Sequence, residues 1–158
     1  MSTPRRRVVV EAPGSSPYAL AQRYVGLEEV PGIAANPTIL KMLQLDQKWP
    51  KDDAVPWCSA FLNYVCWQLR LPRSKSLAAR SWLGVGTPVK LSDARAGYDV
   101  VVINRNGSPD PSTPGPGHVG FFAGIEDQFV LLLGGNQGDK VSLARFPVSS
   151  VLGVRRLS

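Results

Sequence analysis

The chain has 158 residues, one domain's worth, and 44% apolar against 19% charged residues supports a hydrophobic core and excludes an intrinsically disordered chain. Eighteen Lys and Arg against twelve Asp and Glu leave a net charge of +6 and a pI near 9.7. That charge favours an anionic partner (nucleic acid, a lipid surface or a bacterial cell wall) without choosing among them. Two Cys and one His exclude a disulfide scaffold and a four-ligand zinc site built from His and Cys alone.

In chain order, Arg5-Arg6-Arg7 and Val8-Val9-Val10 open a basic stretch that breaks at Glu11 and Pro13. Its apolar part is shorter than the ~7–15 residues of a signal peptide's apolar region. Residues 1–15 read as a flexible basic arm, either a solvated tail or an electrostatic attractor for a polyanion, ahead of a single domain over 16–158. The expectation is a protein made in a cytoplasm and moved only by another system. Ser16-Pro17 signals a helix start, with Tyr18, Leu20, Ala21, Tyr24 and Val25 at helical spacing before Gly26. Asn36-Pro37 repeats the signal ahead of Ile39, Leu40 and Leu43. A third helix is predicted from near Pro56 to Arg70, with Trp67 in the core, and a fourth over 76–83. Short strands are then predicted over 98–103, 118–125, 128–133, 140–146 and 151–155, with a Gly/Pro/Ser-rich loop over 104–117. Helices first and an antiparallel sheet second is an α+β order.

Gly84-Val85-Gly86 lacks the third glycine of a dinucleotide fingerprint, and neither a phosphate-cradling P-loop nor a Gly-x-Ser-x-Gly elbow occurs. What remains is Cys58 at a helix start, His118 where a loop enters a strand, and Asn136 on the next strand. A helix start presents unpaired N–H groups and a positive dipole end, which favour a thiolate. The alternatives are a small core thiol at Cys58, a strand-capping imidazole at His118 and a turn residue at Asn136. If Ile125 faces Phe129 across the Glu126-Asp127-Gln128 turn, the ladder sets Asn136 opposite His118 and Gly134 opposite Gly120. An amide there holds one tautomer of the ring and aims its other nitrogen at a nucleophile. Cys66 lies ~12 Å along the same helix, too far for a disulfide, and reads as core. Trp57 either lines a groove beside Cys58 or packs inward.

The segments Val55-Pro56-Trp57-Cys58-Ser59-Ala60-Phe61, Ala79-Arg80-Ser81-Trp82-Leu83, Gly117-His118-Val119-Gly120-Phe121 and Leu133-Gly134-Gly135-Asn136-Gln137 occur in this order. Together they resemble the CHAP-like branch of the NlpC-type cysteine peptidases, common in phage lysis genes, over roughly residues 17–155. The resemblance implies a papain-like α+β fold, N-terminal helices packed on a small antiparallel sheet. It also implies hydrolysis of an amide bond of bacterial peptidoglycan, as an endopeptidase or an N-acetylmuramoyl-L-alanine amidase, with no cofactor and no metal.

Matched residue by residue, Cys58 is the nucleophile, His118 the base and Asn136 the orienting residue. The expected resting state is a thiolate–imidazolium pair. One departure is Gly134, where many such domains carry an acidic residue. Arg80 and Asp53 are candidate substrate-binding residues beside Trp57, and each equally suits bracing the fold. Peptidoglycan is the expected partner of a monomer, with no nucleic acid and no stable membrane insertion. A holin or a secretion system would bring the enzyme to the wall. The alternatives are an effector secreted between bacteria, a non-catalytic wall-binding module and a thiol acyltransferase.

Overall fold

The structure, a computed structural model, describes residues 16–30, 36–50 and 56–158, so the basic arm 1–15 and Asp53 lie outside the described residues. Two short helices start as their caps dictate. Helix α1 (Pro17–Gln22) follows Ser16, whose Oγ accepts the Ala19 N–H at 3.1 Å. Helix α2 (Pro37–Leu43) follows Asn36, whose Oδ1 accepts the N–H groups of Thr38 and Ile39 at 2.9 and 3.3 Å. Proline at the first helical position loses no hydrogen bond in either case. Helix α3 (Cys58–Leu69) ends where Arg70 turns left-handed at φ 57°.

The fourth predicted helix is instead a 3₁₀ segment, Ala79–Gly84. Its upstream half is diverted by serines, because Ser74 and Ser76 hydroxyls accept the N–H groups of Ser76 and Ala78. Trp67, expected in the core, is 47% exposed. Burial on α3 runs unbroken from Cys58 to Cys66, and Trp67 begins the last turn, which is largely exposed.

The strands are β1 (Thr87–Val89), β2 (Asp99–Asn104), β3 (Gly117–Glu126), β4 (Phe129–Gly134), β5 (Ser142–Pro147) and β6 (Val151–Arg156). They form one antiparallel sheet in the order β1-β6-β2-β3-β4-β5. The protein is thus a mixed α+β fold, helices first. Strand β1 was not anticipated, since three residues with a central proline carry no alternation to read.

One connection shapes the sheet. The three residues Val148–Ser150 join β5 to β6, although β4, β3 and β2 lie between those strands. Four strand spacings in a flat sheet would be about 19 Å, and three linking residues span at most ~14 Å when extended. The sheet therefore curls until β5 approaches the start of β6. Its concave side is filled by Val101, Ile103, Phe122, Val130, Leu132 and Val154. Its other side carries Val100, Val102, Val119, Phe121, Leu131 and Leu133 against the helical layer. Alternation along β3 then turns Val119 and Phe121 to the helices, and His118, Gly120 and Phe122 to the concave side.

Charge is buried where β2 meets β6. Asp99, 1% exposed, receives Arg156 Nε at 2.7 Å and Nη2 at 2.8 Å, and the Arg95 N–H at 2.9 Å. Removing the carboxylate strands a guanidinium that keeps partial access to water. Asp99→Ala is expected to cost about 2–4 kcal/mol in urea unfolding. A cost under about 0.5 kcal/mol would show that this pair does not hold the two strands together.

Candidate active site

Cys58 is the first residue of α3 and only 6% exposed. The backbone N–H groups of Val119, Ser59 and Cys58 itself bear on its sulfur, and the Arg105 charge adds to them. All four favour the thiolate, yet burial outweighs them and pushes the thiol pKa up. The expected thiolate is therefore corrected to a resting thiol, one that faces donors already placed for negative charge. Cys66, wholly buried without such donors, is pushed up to about 12.

His118 is 1% exposed, and its ring lies on Phe146 with centroids 5.0 Å apart. Its partner is Gln137, with Nε2 and Oε1 2.9 Å apart. The Gln137 amide nitrogen donates to Leu132 O at 3.2 Å and Ser142 O at 2.7 Å, which fixes the amide orientation and turns Oε1 to the ring. An oxygen only accepts, so His118 Nε2 carries the proton and Nδ1 keeps the lone pair. No hydrogen bond among the described residues engages Nδ1, and no buried side-chain nitrogen there lacks a partner. Nδ1 is therefore unbonded and not fully buried, and His118 lines a cavity of about 570 Å³ at one end of the curled sheet. Burial pushes the imidazole down to about 4, opposed by the Gln137 bond and helped by Arg105.

Thiol and imidazole approach β3 within one residue of each other, but not as the expected ion pair. The sulfur meets the Val119 N–H from the helix side, whereas His118 turns its ring to the concave side. No hydrogen bond joins them, and at neutral pH both are uncharged.

Half of the expected β3–β4 ladder forms. A two-residue turn sets Glu126 opposite Phe129, one step from the expected register, and a bulge between Phe122 and Gly124 returns it by one step. Phe121 then faces Leu133 as expected, but β4 ends at Gly134, and Asn136 is half-buried and left-handed at φ 57°. Gln137, not Asn136, meets His118. The signal for it was the Gly134-Gly135 pair, which ends the strand just before the amide residues.

Both glycines are required by close approach. A Cβ at Gly135 would lie 2.7 Å from the Trp57 ring and 2.8 Å from Phe61, and one at Gly134 would lie 2.6 Å from Gln137 Oε1. Gly134, the departure from the family pattern, thus leaves room for the Gln137 side chain.

Trp57 and Arg80 are braces. Trp57 is wholly buried and its indole N–H donates to Glu29 Oε2 at 3.0 Å, so it does not line a groove. Arg80, 8% exposed, donates to the carbonyls of Pro116, Asp110, Thr113 and Ser108 and to Asn104 Oδ1, at 2.8–3.3 Å. It is committed to the loop before His118 and has no free face for substrate. Asp53 lies outside the described residues. Among the described residues no group of three His, Cys, Asp or Glu could hold a metal, and no helix is long and apolar enough to cross a membrane.

A scan against protein-family models finds no match, and a search of curated proteins finds none either.

Two outcomes check this geometry. The folded imidazole's pKa lies near 4 against the ordinary 6.5, so between those values the unfolded chain binds more protons. Stability from His118 should fall as pH drops through that window, by up to about 3 kcal/mol below pH 4. Urea unfolding of the parent and of His118→Gln over pH 4–7 should differ by this slope, and parallel curves would refute it. Gly134→Ala should displace Gln137 from the ring, remove the bond that holds the imidazole pKa up and so move the single His resonance in NMR titration. An unmoved resonance would show that the Gln137 bond does not depend on this glycine.

Proposed function

We propose that this chain is a papain-like thiol hydrolase that cuts an amide bond of bacterial peptidoglycan, with Cys58 as nucleophile and His118 as base. The observation that carries the reading is the Gln137 amide, which leaves His118 Nδ1 as a free base one residue from the N–H that holds the Cys58 sulfur. The four ordered sequence motifs and the placement of Cys58 at the start of α3 support the same reading.

Because both groups rest neutral, the reaction starts by proton transfer rather than from a standing ion pair. The His118 ring must first leave Phe146 and turn toward the sulfur, through the gap where β4 ends beside β3. Nδ1 then takes the thiol proton as the sulfur attacks the amide carbonyl. The N–H groups that bear on the sulfur are also placed to stabilise the charge on the carbonyl oxygen. The imidazolium passes its proton to the departing amine, leaving a thioester. A water, losing a proton to the now neutral ring, attacks that thioester, and carboxylate product and thiol are released.

The setting proposed is phage lysis, after release by a holin. The same site serves a cell-wall effector secreted between bacteria equally well. A second reading, a wall-binding module without catalysis, draws on the lack of a hydrogen bond between the thiol and the imidazole, which meet the two sides of β3.

The test is clearance of purified cell walls. Cys58→Ala and His118→Ala should each lose ~10³-fold or more, and Gln137→Leu ~10-fold or more by releasing the tautomer. Parental clearance by either of the first two variants sinks the hydrolase reading and leaves the binding module. With a net charge of +6 the enzyme should also clear walls more slowly as salt rises from about 0.05 to 0.5 M. Salt-independent rates would exclude electrostatic attraction to the wall.

A further inference from the structure

The far end of α3 carries groups that catalysis by Cys58 does not use. Arg70 caps the helix there, ~18 Å from Cys58 at ~1.5 Å per residue. Two open clefts of about 570 and 600 Å³ adjoin and share Arg70, Leu71 and Arg73 in their walls. Lys75 lines the first and Trp67 the second, and no Asp or Glu lines either. Arg73 is neutralised by Asp46, at 2.6 and 3.1 Å. Arg70 and Lys75 are exposed, and neither side chain has an ion pair or hydrogen bond among the described residues. Arg155 adds a third charge that meets no carboxylate there. Its guanidinium donates to Val85 O at 2.7 Å and Gly86 O at 2.8 Å, and both residues line the first cleft.

Two features set these side chains apart. Arg70 and Lys75 stand at φ 57° and 58°, a left-handed backbone that glycine adopts with less strain. Trp67 is 47% exposed, with its indole oriented by the Tyr64 ring 5.8 Å away. The backbone of the walls offers a ligand little else. The N–H groups of Arg70, Leu71, Lys75 and Val85 are bonded within the protein, and Pro72 has none. Arg155 occupies the carbonyls of Val85 and Gly86.

We propose that the joined clefts bind a phosphodiester-linked polyol chain of the bacterial wall, its phosphates on Arg70, Lys75 and Arg155 and one repeat unit against Trp67. Two adjoining clefts make a track longer than a single anion fills. Three unneutralised charges along it match a chain with one negative charge per repeat. An acidic peptide would draw on main-chain partners, and those are engaged. A single-stranded nucleic acid is held by a row of aromatic platforms, and Trp67 is the one aromatic side chain that lines these clefts. The choice of a wall polymer rests on the peptidoglycan reading above; the phosphodiester chemistry stands without it. A chain bound here would hold the enzyme on the wall and leave Cys58, at the other end of α3, unobstructed.

The test is calorimetric titration of the full chain with poly(glycerol phosphate), from about 0.05 to 0.2 M salt. Oligothymidylate with the same number of phosphates and poly-L-glutamate of the same charge are the competing probes. Poly(glycerol phosphate) should bind several-fold more tightly than either. The Arg70→Gln/Lys75→Gln double variant should bind it about tenfold or more weakly and lose affinity less steeply with salt, since fewer counterions are released. Arg70→Lys, which keeps the charge, should bind like the parent, and Trp67→Ala should bind several-fold more weakly. Lys48→Gln/Lys90→Gln removes the same charge from exposed positions elsewhere and should leave affinity within about twofold. No binding, an equal loss in the Lys48/Lys90 pair, or an undiminished affinity of the Arg70/Lys75 pair or of Trp67→Ala overturns the proposal. So does either competing probe binding as tightly as poly(glycerol phosphate). Binding that depends on Arg70 and Lys75 in a protein that leaves walls intact would keep this site and sink the hydrolase. Cys58-dependent clearance with no preference for poly(glycerol phosphate) would do the reverse.

Discussion

Two backbone carbonyls, those of Leu132 and Ser142, decide which nitrogen of the only imidazole is basic. They hold the Gln137 amide so that its oxygen faces His118. An unpinned amide could rotate and offer its NH₂ instead, which would reverse the tautomer. The pin depends on the β4–β5 turn, where Ser142 Oγ also donates to Gln137 O. It depends equally on Gly134, whose missing side chain leaves the space that Gln137 fills. A tautomer is thus set by strand geometry at a distance from the ring itself.

Burial sets the second condition. A helix start and three N–H groups favour a charged sulfur, but removing that sulfur from water costs more. The same desolvation holds His118 neutral. Both groups are therefore neutral at rest, with three N–H donors already set against the sulfur.

Buried polar side chains around the site are spent on shape. Arg80 gathers the 104–116 segment through five hydrogen bonds, and a guanidinium with five donors is the side chain that can do so. Trp57 joins Glu29 to the start of α3, and Trp82 donates to Ser59 Oγ at 2.8 Å one residue past Cys58. Each is a polar group that would be costly to leave unpaired, so each fixes the position of the backbone it meets.

How much was legible in the sequence follows from the range of each signal. Ser16-Pro17 and Asn36-Pro37 marked helix starts because capping is settled within four residues, and the apolar runs after Tyr98 marked β2 to β6 because alternation is equally local. The chemistry-bearing residues Cys58 and His118 stood out by scarcity and by their place at element ends. The 3₁₀ form of 79–84, the exposure of Trp67 and strand β1 depended on neighbours that sequence does not name. The same holds for Gln137 over Asn136, since one bulge and one strand end, set by Gly135 against Trp57, chose between adjacent amides. Sequence by itself determined the order of helices and strands and which side chains could do chemistry, because those are properties of short segments. Only the tertiary structure decided which side of β3 each reactive group meets, which nitrogen is basic and that both groups rest uncharged, because these follow from burial and from contacts between segments far apart in the chain.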